Sequence, residues 1–142
     1  MPDLHFSADL PLSAGRAYEA FSHTELLTLW LVASPKELCA LSLDFVEGGS
    51  FSIQLLNMEA KTITCEGEFA RLRSKEQITF SMHIQGMDRD VGETSVDVRF
   101  FAQDDGVHLV LHHEGINSTQ MADTLAIWWE QAISRLGLLV SI

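Results

Sequence analysis

One histidine, His113, lies in a strand-like run where apolar and polar residues alternate, on the same predicted face as Leu109 and Leu111. An imidazole placed among leucines would be buried, and it could hydrogen-bond a ligand or act as a general acid or base. The alternative is a structural histidine held by neighbouring groups, because buried polar groups are normally paired. The sequence leaves both interpretations open.

The other ionisable residues give weaker indications of a catalytic or metal-binding site. His83, His108 and His112 are predicted on the outer face of the strands, where a sheet offers no closed shell of ligands, so we predict no metal site. Glu66 and Glu68 share one strand face, which suits acid–base work in a cleft but is more typical of a solvent face. Because nucleophile-elbow, zinc-protease, phosphate-loop and dinucleotide motifs are missing from the sequence, the catalytic residues stay unknown and no cofactor is predicted.

Three tryptophans, Trp30, Trp128 and Trp129, could form the aromatic wall of a pocket or simply fill a core. Two of them lie in the segment Thr119–Val140, whose apolar residues recur every three or four positions, as on one helix face. The main stripe is Met121, Leu125, Trp128, Ala132, Leu136 and Leu139, and a second stripe is Ala122, Ala126, Trp129, Ile133 and Val140. This wide apolar face predicts packing on a large surface, and adjacent tryptophans about 100° apart cannot both point straight at it.

The elements that precede this helix are mostly strands. Residues Leu4 to Leu10 alternate as a half-buried strand, and two short helices follow, Ala14–Phe21 and Glu25–Trp30, with Ser13 and Thr24 as N-caps. Glycine-containing and polar turns then separate a meander of about six strands. These are Cys39–Val46, Ser50–Met58, Thr62–Arg73, Gln77–Ile84, Glu93–Ala102 and Val107–Glu114, with a polar loop at Gly86–Gly92. Gly67, inside a strand, predicts a bulge, a bend or close approach by a bulky group.

Segregated helices and hairpin-linked strands predict an α+β fold in a single domain, residues 1–142. We expect a curved antiparallel sheet of six to seven strands around the long C-terminal helix, with two short helices after the first strand. A curved sheet can leave a cavity beneath its helix, and such a cavity is where a ligand would bind.

Charge and composition exclude several classes of function. The 142 residues carry a formal net charge of −11 with nine Lys plus Arg, so we predict an acidic protein that binds neither nucleic acid nor an anionic membrane surface. The start of the sequence shows no secretory pattern. Cys39 and Cys65 form no motif, which indicates a reduced cytoplasmic protein, although one disulfide between them stays open.

Four segments of the sequence resemble one family. They are Ala17–Phe21 with Glu25–Leu27 and Trp30; Phe45–Phe51, which contains Gly48-Gly49; Gly67–Leu72 with Ile78–Phe80; and Leu109–Gly115 with Trp128 and Leu136. In this order they resemble the helix-grip (SRPBCC) superfamily, which includes START domains and birch-pollen-allergen proteins. Within it, the chain is most similar to the branch homologous to the activator of the heat-shock-protein-90 ATPase. One departure is Leu31, where that branch often has a second aromatic residue.

The resemblance implies a helix-grip fold with an internal cavity. Our leading hypothesis is binding of a small hydrophobic or amphipathic molecule between the C-terminal helix and the sheet, with His113 as the orienting polar group. The predicted lining is Trp30, Phe51, Phe69, Phe80, Met82, Val98, Phe100, His113, Trp128 and Ala132. Two alternatives are a cyclase- or hydrolase-type enzyme in the same cavity, and a ligand-free interaction module, either a chaperone partner or a homodimer.

Overall fold

The computed structural model describes residues 3–32, 37–56, 62–86 and 92–139. Its elements in chain order are β1 (Leu4–Leu10), α1 (Ala14–Ser22), α2 (Thr24–Trp30), β2 (Leu38–Leu43), β3 (Ser50–Leu56), β4 (Thr62–Arg73), β5 (Gln77–Gln85), β6 (Glu93–Gln103), β7 (Gly106–Glu114) and α3 (Thr119–Leu136). The strands form one antiparallel sheet in the order β1-β7-β6-β5-β4-β3-β2. The prediction of an α+β helix-grip fold with a curved sheet is therefore confirmed.

Strand β1 pairs with β7, at the far end of the meander, and so lies at one edge of the sheet. Leu4 pairs with His113 and Leu10 with Val107. The helices α1 and α2 connect β1 to β2, which lies at the opposite edge. This connection spans the width of the sheet, and its buried residues Ala17, Ala20, Phe21, Leu27 and Trp30 belong to the core.

The helix boundaries follow from local capping. Ser13 Oγ accepts a hydrogen bond from the backbone N–H of Arg16 at 3.0 Å, and Ser118 Oγ accepts one from Met121 at 3.1 Å, as expected for N-caps. The prediction of Thr24 as a cap was wrong. His23 ends α1 and also precedes α2, so Thr24 is already the first residue of α2.

Several predicted boundaries differ from the observed ones. β2 ends at Leu43 rather than Val46, because the backbone after it turns and Gly48 and Gly49 hydrogen-bond to Phe69 of β4. α3 ends at Leu136. Four predicted features lie outside the described residues: the end of the β3 prediction at Met58, most of the 86–92 loop, Val140, and the ends of the 1–142 domain.

Gly67 in β4 lies between two neighbouring strands, β3 and β5, that approach it closely. Pairing of β4 with β5 runs to Glu66–His83 and resumes at Phe69–Phe80, with an irregularity between Phe69 and Arg71. A Cβ atom on Gly67 would overlap the Ser81 carbonyl oxygen and lie 2.8 Å from the Phe51 ring. The predicted close approach is therefore present, and glycine is required because two neighbouring strands leave no room for a side chain.

The core lies between the concave face of the sheet and the three helices. On β5, β6 and β7 every second side chain is buried, as the alternation predicted. Both cysteines are free thiols, so the disulfide left open by the sequence is not formed. None of the helices in the described part of the chain combines the length and apolar character needed to cross a membrane.

Candidate functional site

An apolar cavity lies between α2, α3 and the half of the sheet formed by β2 to β5. Its volume, counted as space open to the centre of a water-sized sphere, is about 70 Å³. By the same measure one water needs roughly 10–15 Å³, so the cavity could hold about one six-membered ring. The residues that line it are Phe21, Leu27, Trp30, Leu31, Leu43, Phe51, Ile53, Leu55, Cys65, Phe69, Ile78, Phe80, Met82, Trp128 and Trp129.

Three phenylalanines from neighbouring strands form the sheet side of the cavity. The ring centroids of Phe51 and Phe80 are 5.5 Å apart at an interplanar angle of 89°, and Phe69 lies 5.4 Å from Phe51 and 6.2 Å from Phe80. The contacts of Phe80 with Phe51 and Phe69 are edge-to-face and that of Phe51 with Phe69 is tilted, and such contacts stabilise aromatic pairs beyond what simple burial does. The wall therefore has a defined shape on the sheet side.

The structure brings six of the ten predicted site residues to this cavity: Trp30, Phe51, Phe69, Phe80, Met82 and Trp128. The other four, Val98, Phe100, His113 and Ala132, are buried in the core and do not line it. These four lie on β6, β7 and the inner face of α3, whereas the cavity lies toward the β2 end of the sheet. These four residues and the cavity thus occupy different halves of the concave face.

Sequence reasoning missed other wall residues for different reasons. Ile53 and Leu55 share the alternation of Phe51, so the pattern contained them. Leu27 and Leu31 could not be placed in the wall from the sequence, because the sequence does not determine which side of the short helix α2 faces the sheet. Trp129 also lines the cavity and is only 3% exposed, while Trp128 is half-buried.

His113 lies in a linear series of hydrogen bonds in the core, all of them between groups of the protein. The indole N–H of Trp129 donates to His113 Nδ1 at 3.1 Å, so the ring proton of the neutral imidazole lies on Nε2. His113 Nε2 then donates to Thr94 Oγ1 at 2.8 Å, and Thr94 Oγ1 donates to the Met82 carbonyl at 2.9 Å. Both imidazole nitrogens are used within the protein, which is the structural alternative that the sequence left open.

Burial keeps this histidine neutral. The His113 side chain is completely buried. Removal from water lowers its pKa from 6.5 to about 4, and the negative charge of Asp3 only partly opposes that effect. At neutral pH, His113 therefore carries no charge and has no nitrogen available for a proton transfer to a ligand.

The indole N–H groups of Trp30 and Trp129 in the wall also hydrogen-bond within the protein rather than toward the cavity. The Trp30 indole N–H donates to the Ala20 carbonyl at 2.9 Å, and that of Trp129 donates to His113. Burial raises the pKa of the Cys65 thiol to about 11, so it stays protonated. The cavity consequently offers a ligand aromatic and aliphatic contacts.

Arg135 of α3 hydrogen-bonds to the C-terminal end of α2, the helix that carries part of the cavity wall. Its Nε donates to the Trp30 carbonyl at 2.9 Å and its Nη2 to the Leu31 carbonyl at 3.2 Å. These carbonyls lie at the C-terminal end of α2, where a cation also interacts favourably with the helix dipole. Arg135 thereby fixes α2 relative to α3.

We expect Arg135→Leu to lower the free energy of unfolding by about 2 kcal/mol, since two hydrogen bonds from a charged donor are lost. The matched control is Arg16→Leu. Arg16 pairs with Glu19 on the surface of α1, and such a pair contributes about 0.5 kcal/mol or less. Urea unfolding followed by tryptophan fluorescence measures both values, and equal losses would contradict the proposed role of Arg135.

The convex face of the sheet carries the remaining polar clusters. Burial raises the pKa of Asp97, but hydrogen bonds from Gln77, Thr79 and Arg99 outweigh that effect and lower it overall. Glu66 is exposed, in agreement with a solvent face. Among the described residues, three His, Cys, Asp or Glu side chains nowhere come together as a metal site requires.

Comparison with known proteins gives a consistent family assignment. The profile of the family described as Activator of Hsp90 ATPase homolog 1-like protein matches residues 11–141. No curated protein matches the sequence.

Solved structures with a similar fold come from several bacteria. A Chromobacterium violaceum protein has a TM-score of 0.84 at 21% identity, covering 100% of this chain and 99% of its own. An uncharacterised Rhizobium leguminosarum protein has a TM-score of 0.83 at 16% identity, covering 98% and 93%. A Mycobacterium smegmatis protein has a TM-score of 0.83 at 14% identity, covering 99% and 91%. At these identities the likeness concerns the fold.

Proposed function

The chain belongs to the family of Activator of Hsp90 ATPase homolog 1-like proteins, and we propose that it binds a small hydrophobic or amphipathic molecule in the cavity between α3 and the sheet. The observation that carries this proposal is the apolar cavity itself, whose wall combines side chains from α2, α3 and four strands. Convergence of several elements on one apolar space is typical of ligand sites.

The enzyme alternative has less support. A cyclase or hydrolase in this cavity would need a polar group directed at the ligand. His113, the residue suggested for that role, lies outside the wall and uses both nitrogens in hydrogen bonds to Trp129 and Thr94. The interaction-module alternative, with a chaperone partner or a second copy, draws on exposed apolar residues such as Leu29 and Ile127. Exposed apolar residues are ordinary on the surface of a folded protein.

We expect toluene to bind in the cavity, because it is apolar and consists of one six-membered ring. The substitution Ile53→Trp places a large side chain in the wall and should weaken binding at least about tenfold by occupying the space. The control is Leu56→Trp, on the same strand but exposed to solvent. Titration of the methyl groups of Leu27, Leu43 and Ile78 by NMR measures binding directly.

The proposal predicts shifts concentrated at wall methyl groups in the wild type and in Leu56→Trp. It fails if toluene produces no shifts up to its solubility limit, or if the shifts lie mainly on the convex face. Equal affinities in the two variants would likewise place the binding site away from Ile53.

A further inference from the structure

The cavity wall contains no charged side chain among the described residues. It consists of aliphatic and aromatic groups, the Met82 thioether and the protonated Cys65 thiol. An ionised carboxylate that entered would lose its hydration without gaining a counter-charge, which is costly in an apolar environment. The wall therefore discriminates by charge as well as by size.

Arg135 and His113 bear nitrogen atoms that contact wall residues, and both are already used in hydrogen bonds within the protein. Arg135 donates to the carbonyls of Trp30 and Leu31. His113 accepts from Trp129 and donates to Thr94. If either group hydrogen-bonded a ligand anion instead, a buried carbonyl or indole N–H would lose its partner. The free-energy cost of that unpaired group exceeds the net gain from the new hydrogen bond.

The net negative charge of the protein also disfavours the binding of anions. With twenty Asp and Glu against nine Lys and Arg, the field of the whole protein repels small anions and lowers their local concentration. The volume of about 70 Å³ sets the size limit to about one ring.

We propose that this cavity takes an uncharged molecule of about one aromatic ring and rejects the carboxylate of the same shape, an inference that rests on the proposed ligand-binding function. The selectivity arises from the wall, because Trp30 and Trp129 direct their N–H groups into the protein and Arg135 is held by α2. The ligand class is thus neutral aromatic or alkyl compounds rather than fatty or aromatic acids.

Nitrobenzene and benzoate provide a matched pair of probes, since the nitro and carboxylate groups have nearly the same shape and differ by one charge. Titrations at pH 7.5 on the wild-type protein, followed by methyl NMR, give both dissociation constants. We expect nitrobenzene to bind at least 100-fold more tightly than benzoate. Benzoate affinity within tenfold of nitrobenzene overturns the charge selectivity while leaving ligand binding intact. If neither probe binds while toluene does, this inference is overturned and the proposed function stands, whereas failure of toluene as well overturns both.

A cation added to the wall tests the cause. Leu55 is a half-buried wall residue on β3, and its neighbour Leu56 is exposed. Leu55→Lys should raise benzoate affinity at least tenfold over the wild type, whereas Leu56→Lys should not change it. Leu43→Lys, on the adjacent strand β2, is the second variant if Leu55→Lys does not fold. Folded wall variants without any gain in benzoate affinity would overturn the explanation by charge.

Discussion

Replacing Gly67 with alanine is expected to lower the free energy of unfolding by about 3 kcal/mol, at the upper end of the usual cost of overpacking. The added methyl group would overlap the Ser81 carbonyl oxygen on β5 and press on the Phe51 ring on β3. A backbone carbonyl cannot rotate away as a flexible side chain can, so the strands must separate. The loss is a large fraction of the roughly 5–15 kcal/mol that stabilises an ordinary domain.

Gly15→Ala is the matched control for this prediction. Gly15 lies in α1, and a methyl group there would approach only the flexible side chain of Lys75, at 3.3 Å. Because alanine favours a helix over glycine, we expect this variant to be unchanged or more stable by up to about 1 kcal/mol. Urea denaturation compares the two variants. If Gly67→Ala is as stable as Gly15→Ala, the packing of β4 between β3 and β5 does not require the absence of a side chain at Gly67.

Acidification is expected to destabilise the protein through His113 by about 2 kcal/mol between pH 7.5 and pH 5. The pKa of His113 is lowered by burial from 6.5 to about 4 in the folded state. Well above pH 6.5 the group is neutral in both states and His113 causes no loss of stability. As the pH falls from 6.5 toward 4, His113 becomes protonated in the unfolded chain but stays neutral in the folded protein. The unfolded state is therefore favoured and the free energy of unfolding falls. Below about pH 4 both states are protonated and the loss from His113 stops at about 3 kcal/mol.

Urea unfolding at pH 7.5, 6.5, 5.5 and 5.0 measures this slope. His113→Gln removes the titration, and its amide can still accept from Trp129 and donate to Thr94. We expect this variant to be less stable at pH 7.5 by about 1 kcal/mol but to lose much less stability on acidification. The control is His112→Gln on the solvent side of the same strand, which leaves His113 and its hydrogen bonds in place and should retain the loss of stability that His113 contributes. A wild-type slope in His113→Gln would assign the acid sensitivity to other groups.

The sequence predicted the fold well because alternation and turn residues are local patterns. The alternating burial along β7 and the buried position of His113 followed from period-two patterning, and the close approach at Gly67 was one of three possibilities indicated by a single glycine. The helical period of α3 was equally clear. Its rotation was not, and the structure turns Trp129 inward while Trp128 stays half-buried.

The cavity was harder to predict because it depends on contacts between distant segments. Trp30 belongs to a seven-residue helix whose position is set by Arg135, more than a hundred residues later. Thr94, the partner of His113, lies on the neighbouring strand. No periodicity within one segment contains such pairings, so the sequence named ten lining residues of which six meet at the cavity, while the other four lie on β6, β7 and α3.

The position of β1 at the edge beside β7 has a consequence for the order of folding. Strands β2 to β7 pair with their neighbours in sequence and close only short loops, whereas the pairing of Leu4 with His113 joins residues about a hundred positions apart. Closing so long a loop is entropically costly until the meander exists to receive it, so we expect β1 to dock late. A chain still being synthesised would accordingly hold its first strand unpaired until its last one is complete, leaving the edge of β7 open in the meantime.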